Sequence, residues 1–274
     1  MGALRDWAEA LPGWGVPDEI LAKAPDDPWR WSVDSFRRRA KAALAGETAS
    51  HPSTVRALEA LPEGGTVLDV GSGPGAGSLA LAGRAGKIVA IDPDPSMLGV
   101  FRDLATASGI EHEAIEGRWP DDEGRVQPAD VVLCHHVFYM APDLRSFCDV
   151  LTRKARRRVV VELLQEHPRA WMNPLWMRFH GLERPTRPTA DDAVAALREA
   201  GIAVKREDVV DERKGEAGTR EDAVAFVRRT LCLGADRDPE VAEALGDDLW
   251  EADGGWFTGP RVQQLVTLFW DAPR

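Results

Sequence analysis

From Thr66 onward the chain alternates short, largely apolar runs with longer stretches whose apolar residues recur every three or four positions. Runs of the first kind read as buried strands and stretches of the second as amphipathic helices. Seven runs qualify as strands: Thr66–Val70, Lys87–Ile91, Glu111–Ile115, Ala129–Cys134, Arg158–Leu163, Ile202–Val210 and Val262–Trp270. The helices between them carry their own start and stop signals. Asp94 precedes Pro95, an N-cap followed by proline at the first helical position, and that helix runs to about Ser108 before Gly109. Thr189 and Asp192 resemble a capping box ahead of a helix that Gly201 closes. Further helices are predicted over Ala76–Gly83, Asp143–Leu151, Arg220–Leu233 and Pro239–Gly246.

Residues 1–61 lack this alternation and read as helices and loops. Pro12, Gly13, Gly15, Pro17, Pro25 and Pro28 break them into pieces. Ser32 is placed to cap a helix reaching Leu44, and Val55, Leu58 and Leu61 mark one face of another that starts at Ser53. Strands apolar on both faces imply a sheet covered on both sides, and strands alternating with helices imply that it is parallel. The expected architecture is therefore α/β: a doubly wound, Rossmann-like, seven-stranded and mostly parallel sheet with helices on both faces. An N-terminal helical cap is expected over residues 1–61 and a larger domain over 62–274.

Charge narrows the partners. The chain of 274 residues has 34 basic and 45 acidic side chains, a formal charge of −11, which argues against a broad nucleic-acid surface built on phosphate neutralisation. No apolar run approaches the ~18 residues of a membrane span. Met1–Ala10 has no apolar signal core, and Cys134, Cys148 and Cys232 are odd in number and widely spaced, without metal-type pairing. The expectation is a reduced, cytoplasmic protein with no metal site; the abundance of Ala, Gly, Asp and Arg suggests a bacterial source.

The chemistry concentrates in Val67-Leu68-Asp69-Val70-Gly71-Ser72-Gly73-Pro74-Gly75, between the first strand and the first helix after it. Glycines there allow a tight turn and close approach of a ligand to the backbone, and the helix start behind them offers unpaired amides. At the end of the second strand stands Asp92, whose carboxylate can accept both hydroxyls of a ribose. A nucleoside-containing cofactor is implied. Gly71, Gly73 and Ala76 also fit the dinucleotide form G-x-G-x-x-A, which keeps an NAD(P)-dependent oxidoreductase in play. Against it, Asp69 lies within the loop motif and Pro74 removes an amide donor where a pyrophosphate would wrap. The phosphate-binding pattern G-x-x-x-x-G-K-[ST] is missing.

These residues resemble the class I S-adenosylmethionine-dependent methyltransferases. The family's first motif, acid-x-G-x-G-x-G, is matched by Asp69, Gly71, Gly73 and Gly75. Its second-strand acid is matched by Asp92, in Ile91-Asp92-Pro93-Asp94-Pro95-Ser96-Met97, with Met97 in place to pack on adenine. Glu116-Gly117-Arg118-Trp119 looks like the adenine-flanking loop, and Cys134-His135-His136-Val137-Phe138-Tyr139 falls where methionine and acceptor meet. The resemblance implies cofactor contacts from Asp69, Gly71, Ser72, Gly73, Gly75, Asp92, Pro93, Met97, Gly117, Arg118, Trp119 and His135, with S-adenosylhomocysteine as product. It covers Thr66–Leu163 well and the later strands more weakly.

Methyl transfer from a sulfonium needs alignment above all, and a base only if the acceptor arrives protonated. His135 and His136 are the candidates for base or orienting group, with Tyr139 beside them. Two segments could wall the acceptor pocket. One is Trp29–Arg39, with Trp31, Phe36 and Arg38 or Arg39, where family members often carry a lid. The other is a cover near 165–190, whose Ala170–His180 stretch holds Trp171, Met172, Trp176, Met177, Phe179 and His180. The Asn/Asp-Pro-Pro-aromatic tetrapeptide of nucleic-acid amino methyltransferases is missing after the fourth strand. Cys134 lacks the Pro-Cys pairing of cytosine-C5 enzymes. The expected acceptor is a small molecule with an oxygen, nitrogen or carbon nucleophile. A homodimer, and a cofactor-binding protein of this fold without turnover, stay open.

Overall fold

The computed structural model describes residues 2–29, 32–212, 218–252 and 254–273. In its N-terminal part, α1 (Ala3–Ala10) and α2 (Asp18–Leu21) precede α3 (Val33–Leu44), whose N-cap Ser32 accepts from the Ser35 amide, and α4 (Pro52–Ala60). The alternating part begins with β1 (Gly65–Val70), α5 (Ala76–Leu79), β2 (Ala85–Asp92), α6 (Pro95–Ala107) and β3 (Glu111–Glu116). It continues with β4 (Ala129–His135), α7 (Leu144–Lys154), β5 (Ala155–Leu164), α8 (Asn173–His180), α9 (Ala190–Glu199) and β6 (Lys205–Glu212). Then come α10 (Arg220–Thr230), α11 (Asp238–Leu245), the hairpin β7 (Leu249–Ala252) and β8 (Gly255–Thr258), and finally β9 (Val262–Asp271).

Among the described residues, seven strands form the main sheet in the order β3-β2-β1-β4-β5-β9-β6. β9 runs antiparallel to both neighbours, and the other pairings are parallel. The chain winds outward from β1 to β3, then returns to β4, so β1 and β4 flank the switch point where such sheets bind ligands. Only β9 is reversed. Its start therefore lies at the same edge as the ends of β5 and β6, with Leu164 beside Leu265 and Glu212 beside Val262. The β5–α9 and β6–β9 connections thus both rise from the edge that carries the glycine loop.

Among the described residues, three apolar clusters follow from this topology. On one face, Leu68, Val132, Val159 and Leu268 pack against α7, α9 and Trp7 of α1. On the other, Val67, Leu133, Val160 and Phe269 pack against α3, α4 and α6. The third lies above the sheet edge, where Met172 and Trp176 meet Val224, Val227 and Val241, with Val16 joining them. The first 60 or so residues therefore contribute to every layer. The Trp7 indole N–H, donated to Ala141 O at 2.9 Å, ties α1 to the segment after β4.

The structure corrects several expectations locally. β3 and β6 are edge strands whose positions are exposed or partly exposed apart from the buried Ile115, and they are not apolar on both faces. The sixth strand starts at Lys205, because Ile202 and Val204 are spent packing the preceding connection into the first cluster. α5 stops at Leu79, four residues short of Gly83, because the chain must turn to reach β2 at Ala85. The β7–β8 pair, with Trp250 and Phe257 stacked at 4.4 Å, was not foreseen. Its signal is the Asp-Gly dipeptide at 253–254, which a search for long apolar runs passes over.

Asp94 caps α6 by accepting from the amides of Ser96 at 2.8 Å and Met97 at 3.4 Å. Asp94→Ala should cost about 1 kcal/mol, read as a lower urea midpoint at unchanged slope.

Candidate cofactor and acceptor site

Strand β1 ends in three glycines with positive φ: Gly71 at +65°, Gly73 at +52° and Gly75 at +86°. A side chain at Gly71 would strike Val137, and a Cβ at Gly75 would sit 2.5 Å from the Phe101 ring. A Cβ at Gly73 would meet nothing within 4 Å. The protein's own packing thus demands glycine at the first and third positions, while the middle one faces open space, a cradle that a side chain would fill. Asp92, 9% exposed, closes the cradle. Its carboxylate accepts from Gly73 N–H and Asp94 N–H, each at 2.8 Å. Burial raises its pKa, while the amides of Asp94 and Gly73 pull the other way. A carboxylate has about four acceptor sites, so capacity for a diol remains.

Other predicted residues gather round this junction. Gly117 N–H donates to Asp92 O at 3.1 Å, bringing the end of β3 alongside. Arg118 N–H is taken by Asp122 at 2.8 Å. Ser72 and Met97 are buried, and Pro93 is exposed at the rim. Trp119 packs against the first apolar cluster, with its indole N–H 3.5 Å from Phe147 O. Asp69 is 2% exposed and accepts from the Ser78 hydroxyl at 2.6 Å, bracing β1 against α5. Burial pushes its carboxyl up to about 6 against the pull of Ser78.

The candidates after β4 separate into three environments. The His135 ring is wedged against Gly77, where a Cβ would lie 2.7 Å from Nδ1. Its buried Nε2 has no hydrogen-bond partner among the described residues, and burial lowers its pKa. Tyr139 is tied to the end of β5: its hydroxyl accepts from Leu164 N–H at 2.8 Å, and burial drives the phenol well above its usual range. Cys134 is fully buried with its thiol pushed up, the opposite of a nucleophile's setting. His136 alone reaches outward, its side chain 41% exposed, with Nε2 3.3 Å from Glu162 Oε1.

Glu162 was not among the sequence candidates, although its signal is plain: one charge inside Val159-Val160-Val161-Glu162-Leu163-Leu164. Its second oxygen accepts from the Ser53 hydroxyl at 2.5 Å. Burial works to raise its pKa, but the hydrogen bond from His136, the charges of His135 and His136, and Ser53 hold it well below the usual range. His51 lies 3.4 Å from Asp211 nearby. His167 was also missed. It stacks on Trp14 at 3.8 Å and meets Tyr139 edge-on at 5.2 Å, and burial with Arg169 and Arg184 pushes it down to about 3.

Of the two expected pocket walls, Trp29 lies under the Arg169 guanidinium at 4.0 Å, so the lid segment meets the cover there. Phe36 and Arg39 contact each other on α3; Trp31 lies outside the described residues. In the cover, Met172 and Trp176 are core residues and Trp171 packs on Gly259, while Met177 is half exposed. His180 is held on Leu231 O at 2.6 Å, and Phe179 packs at the margin of the cover's core.

With this geometry in view, residues 67–157 match the methyltransferase-domain family. Residues 67–157 are thus similar to a methyltransferase domain. Ribosomal protein L11 methyltransferase of Aliivibrio fischeri (strain MJ11) is 36% identical over 116 residues, which is 40% of this chain and 37% of that protein. The chain thus spans little more than a third of the curated relatives it matches. Two solved structures share the fold. A Bacillus halodurans C-125 protein assigned as a methyltransferase superposes with a TM-score of 0.54 at 17% identity, over 82% of this chain and all of that one. A cyclopropane-fatty-acyl-phospholipid synthase-like protein from Lactobacillus casei ATCC 334 gives 0.52 at 19% identity, over 92% and 98%. The cofactor of such a methyltransferase domain is S-adenosylmethionine, and the open Gly73 cradle beside Asp92 fits its nucleoside. Among the described residues no helix is long and apolar enough to cross a membrane, and no cluster of His, Cys, Asp and Glu could hold a metal.

Gly73→Ala should fold with a loss of ~1–2 kcal/mol from its positive φ, yet bind S-adenosylhomocysteine at least tenfold more weakly by calorimetry. Gly75→Ala should instead lose more stability, ~2–5 kcal/mol, because Phe101 stands in the way. Asp69, raised above its unfolded value, favours folding fully below that value, and the contribution is lost as pH rises through about 6. Urea titrations of the cofactor-free protein at pH 4.5 and 8 should show this decline, worth at most ~3 kcal/mol, and Asp69→Asn should abolish it.

Proposed function

We propose that this protein transfers the methyl group of S-adenosylmethionine to an oxygen, nitrogen or carbon nucleophile on a small molecule. The observation that carries the reading is the junction of Asp92 with the Gly73 amide, beside a position left open by the protein itself. Asp92 takes the ribose hydroxyls, Gly71, Ser72, Gly73 and Gly75 carry the loop, and Pro93, Met97, Gly117, Arg118 and Trp119 border the base. Asp69 supports the loop from beneath through Ser78. When bound, the cofactor supplies an electrophilic methyl on a sulfonium. What the chain does is align the acceptor and, where the acceptor is protonated, remove its proton. His136 is assigned the base role, since its ring faces outward. His135 and Tyr139 are assigned to shaping the wall behind it.

A cover built from two of the chain's own connections favours a small acceptor over a macromolecular one. The Aliivibrio relative's name specifies a ribosomal protein, but the match spans too little of that protein to carry its acceptor across. The buried, unpaired cysteines agree with a reducing, cytoplasmic setting.

Calorimetry with S-adenosylhomocysteine, NAD and NADP tests the cofactor. Binding of the first alone is expected, and binding of a dinucleotide alone would replace this reading with an oxidoreductase. Asp92→Asn, which keeps the shape, should weaken S-adenosylhomocysteine by about tenfold to 100-fold through loss of charge-assisted hydrogen bonds. Unchanged affinity would remove Asp92 from the site. A panel of phenols, alcohols, amines and carboxylic acids with S-adenosylmethionine then identifies the acceptor.

A further inference from the structure

We propose that Glu162, braced by Ser53, is the positioning residue that holds His136 by one ring nitrogen and leaves Nδ1 to take a proton from the acceptor. This rests on the methyl-transfer reading and adds what fixes the base and which acceptors it suits.

Glu162 grips His136 twice. Its backbone carbonyl accepts His136 N–H at 2.7 Å, and its carboxylate lies 3.3 Å from Nε2. His136 needs such a hold, because its φ of +60° lies in the left-handed region that costs a residue with a Cβ about 1–2 kcal/mol. A strained conformation of this kind persists only where its surroundings impose it, and such strain clusters at functional sites. The carboxylate cannot swing away, because Ser53 at the start of α4 donates to its other oxygen at 2.5 Å. The ring's Nε2 is thereby engaged while its exposed side stays free. The next residue, Val137, packs on Gly71, so the exposed ring stands one residue from the cofactor loop.

The charges around the pair suit proton transfer. Glu162 is faced by His135 and His136 from β4 and the loop after it, by His51 ahead of α4, which is itself beside Asp211 of β6, and by the Tyr139 phenol. An anionic carboxylate behind an imidazole fixes its tautomer and stabilises the imidazolium that forms. In the step itself, the acceptor's X–H proton passes to His136 Nδ1 as the X lone pair forms the bond to the methyl carbon. The carbon–sulfur bond breaks and its electron pair stays on sulfur, leaving a neutral thioether. His136 then returns its proton to water. The arrangement suits acceptors whose attacking atom carries both a lone pair and a proton, alcohols, phenols or neutral amines; a carboxylate, already ionised near neutrality, needs no base.

The test uses the full-length protein labelled with ¹⁵N-histidine. A downfield ring N–H resonance on Nε2 is expected, absent in His136→Gln, displaced upfield in Glu162→Gln, and exchanging faster in Ser53→Ala. Its absence from the wild type, or an unchanged position in Glu162→Gln, overturns the inference. S-adenosylhomocysteine calorimetry on the same samples separates the two levels. Binding without the resonance overturns the Glu162 role alone, and the resonance without binding overturns the methyl-transfer reading and this inference with it. On an alcohol, phenol or amine from the acceptor panel, Glu162→Gln should lower kcat/KM about 100-fold with affinity for S-adenosylhomocysteine within about twofold. A purely structural Glu162 would change stability and leave kcat/KM of the folded protein intact. Turnover of carboxylates alone, indifferent to Glu162→Gln, would also overturn it.

Discussion

A carboxylate buried near the end of a core strand has to be met by donors, because an isolated charge there costs far more than the fold can tolerate. Glu162 imposes that requirement on the whole carboxyl edge of the sheet. Ser53 answers it from α4, which fixes how that helix lies across β5. His136 answers it from the loop after β4, and this sets the path that lays Val137 on Gly71. One buried charge therefore couples the N-terminal helices, the β4 loop and the glycine loop, three segments far apart in sequence.

The second organising constraint is direction. Because only β9 is reversed, every functional segment emerges at one edge: the glycine loop after β1, Asp92 after β2, Gly117 after β3, His136 after β4 and Tyr139's anchor at the end of β5. The cover is a consequence of the same fact. The connections after β5 and before β9 start and finish at this edge, and their helices can bury Met172, Trp176, Val224 and Val241 only against one another. The large side chains of the cover's helices thus serve chiefly as its interior, while His167, between β5 and α8, stacks on Trp14 and meets Tyr139.

The glycine loop was legible because its requirements are local. Positive φ at Gly71, Gly73 and Gly75 is a backbone property, and an acid at the end of the second strand is one register position from the loop it serves. The central strands were legible for a similar reason, since burial on both faces leaves an uninterrupted apolar run. The edge strands β3 and β6 and the hairpin β7–β8 were read less well, because half-exposed or very short strands carry a weak period. Glu162 shows the limit most clearly. Within its own strand it looks only like an irregularity, and its meaning comes from Ser53 and His136, which are respectively 109 and 26 positions away.

The order of strands and helices, the cradle of glycines and the acid that closes it were determined by the sequence alone, since each depends on residues close in the chain. Which histidine faces outward was decided only by tertiary structure. His135 and His136 are adjacent and chemically identical, yet strand alternation turns the first against Gly77, and the left-handed turn held by Glu162 exposes the second. Their difference arises from packing between distant segments, which local propensity does not encode.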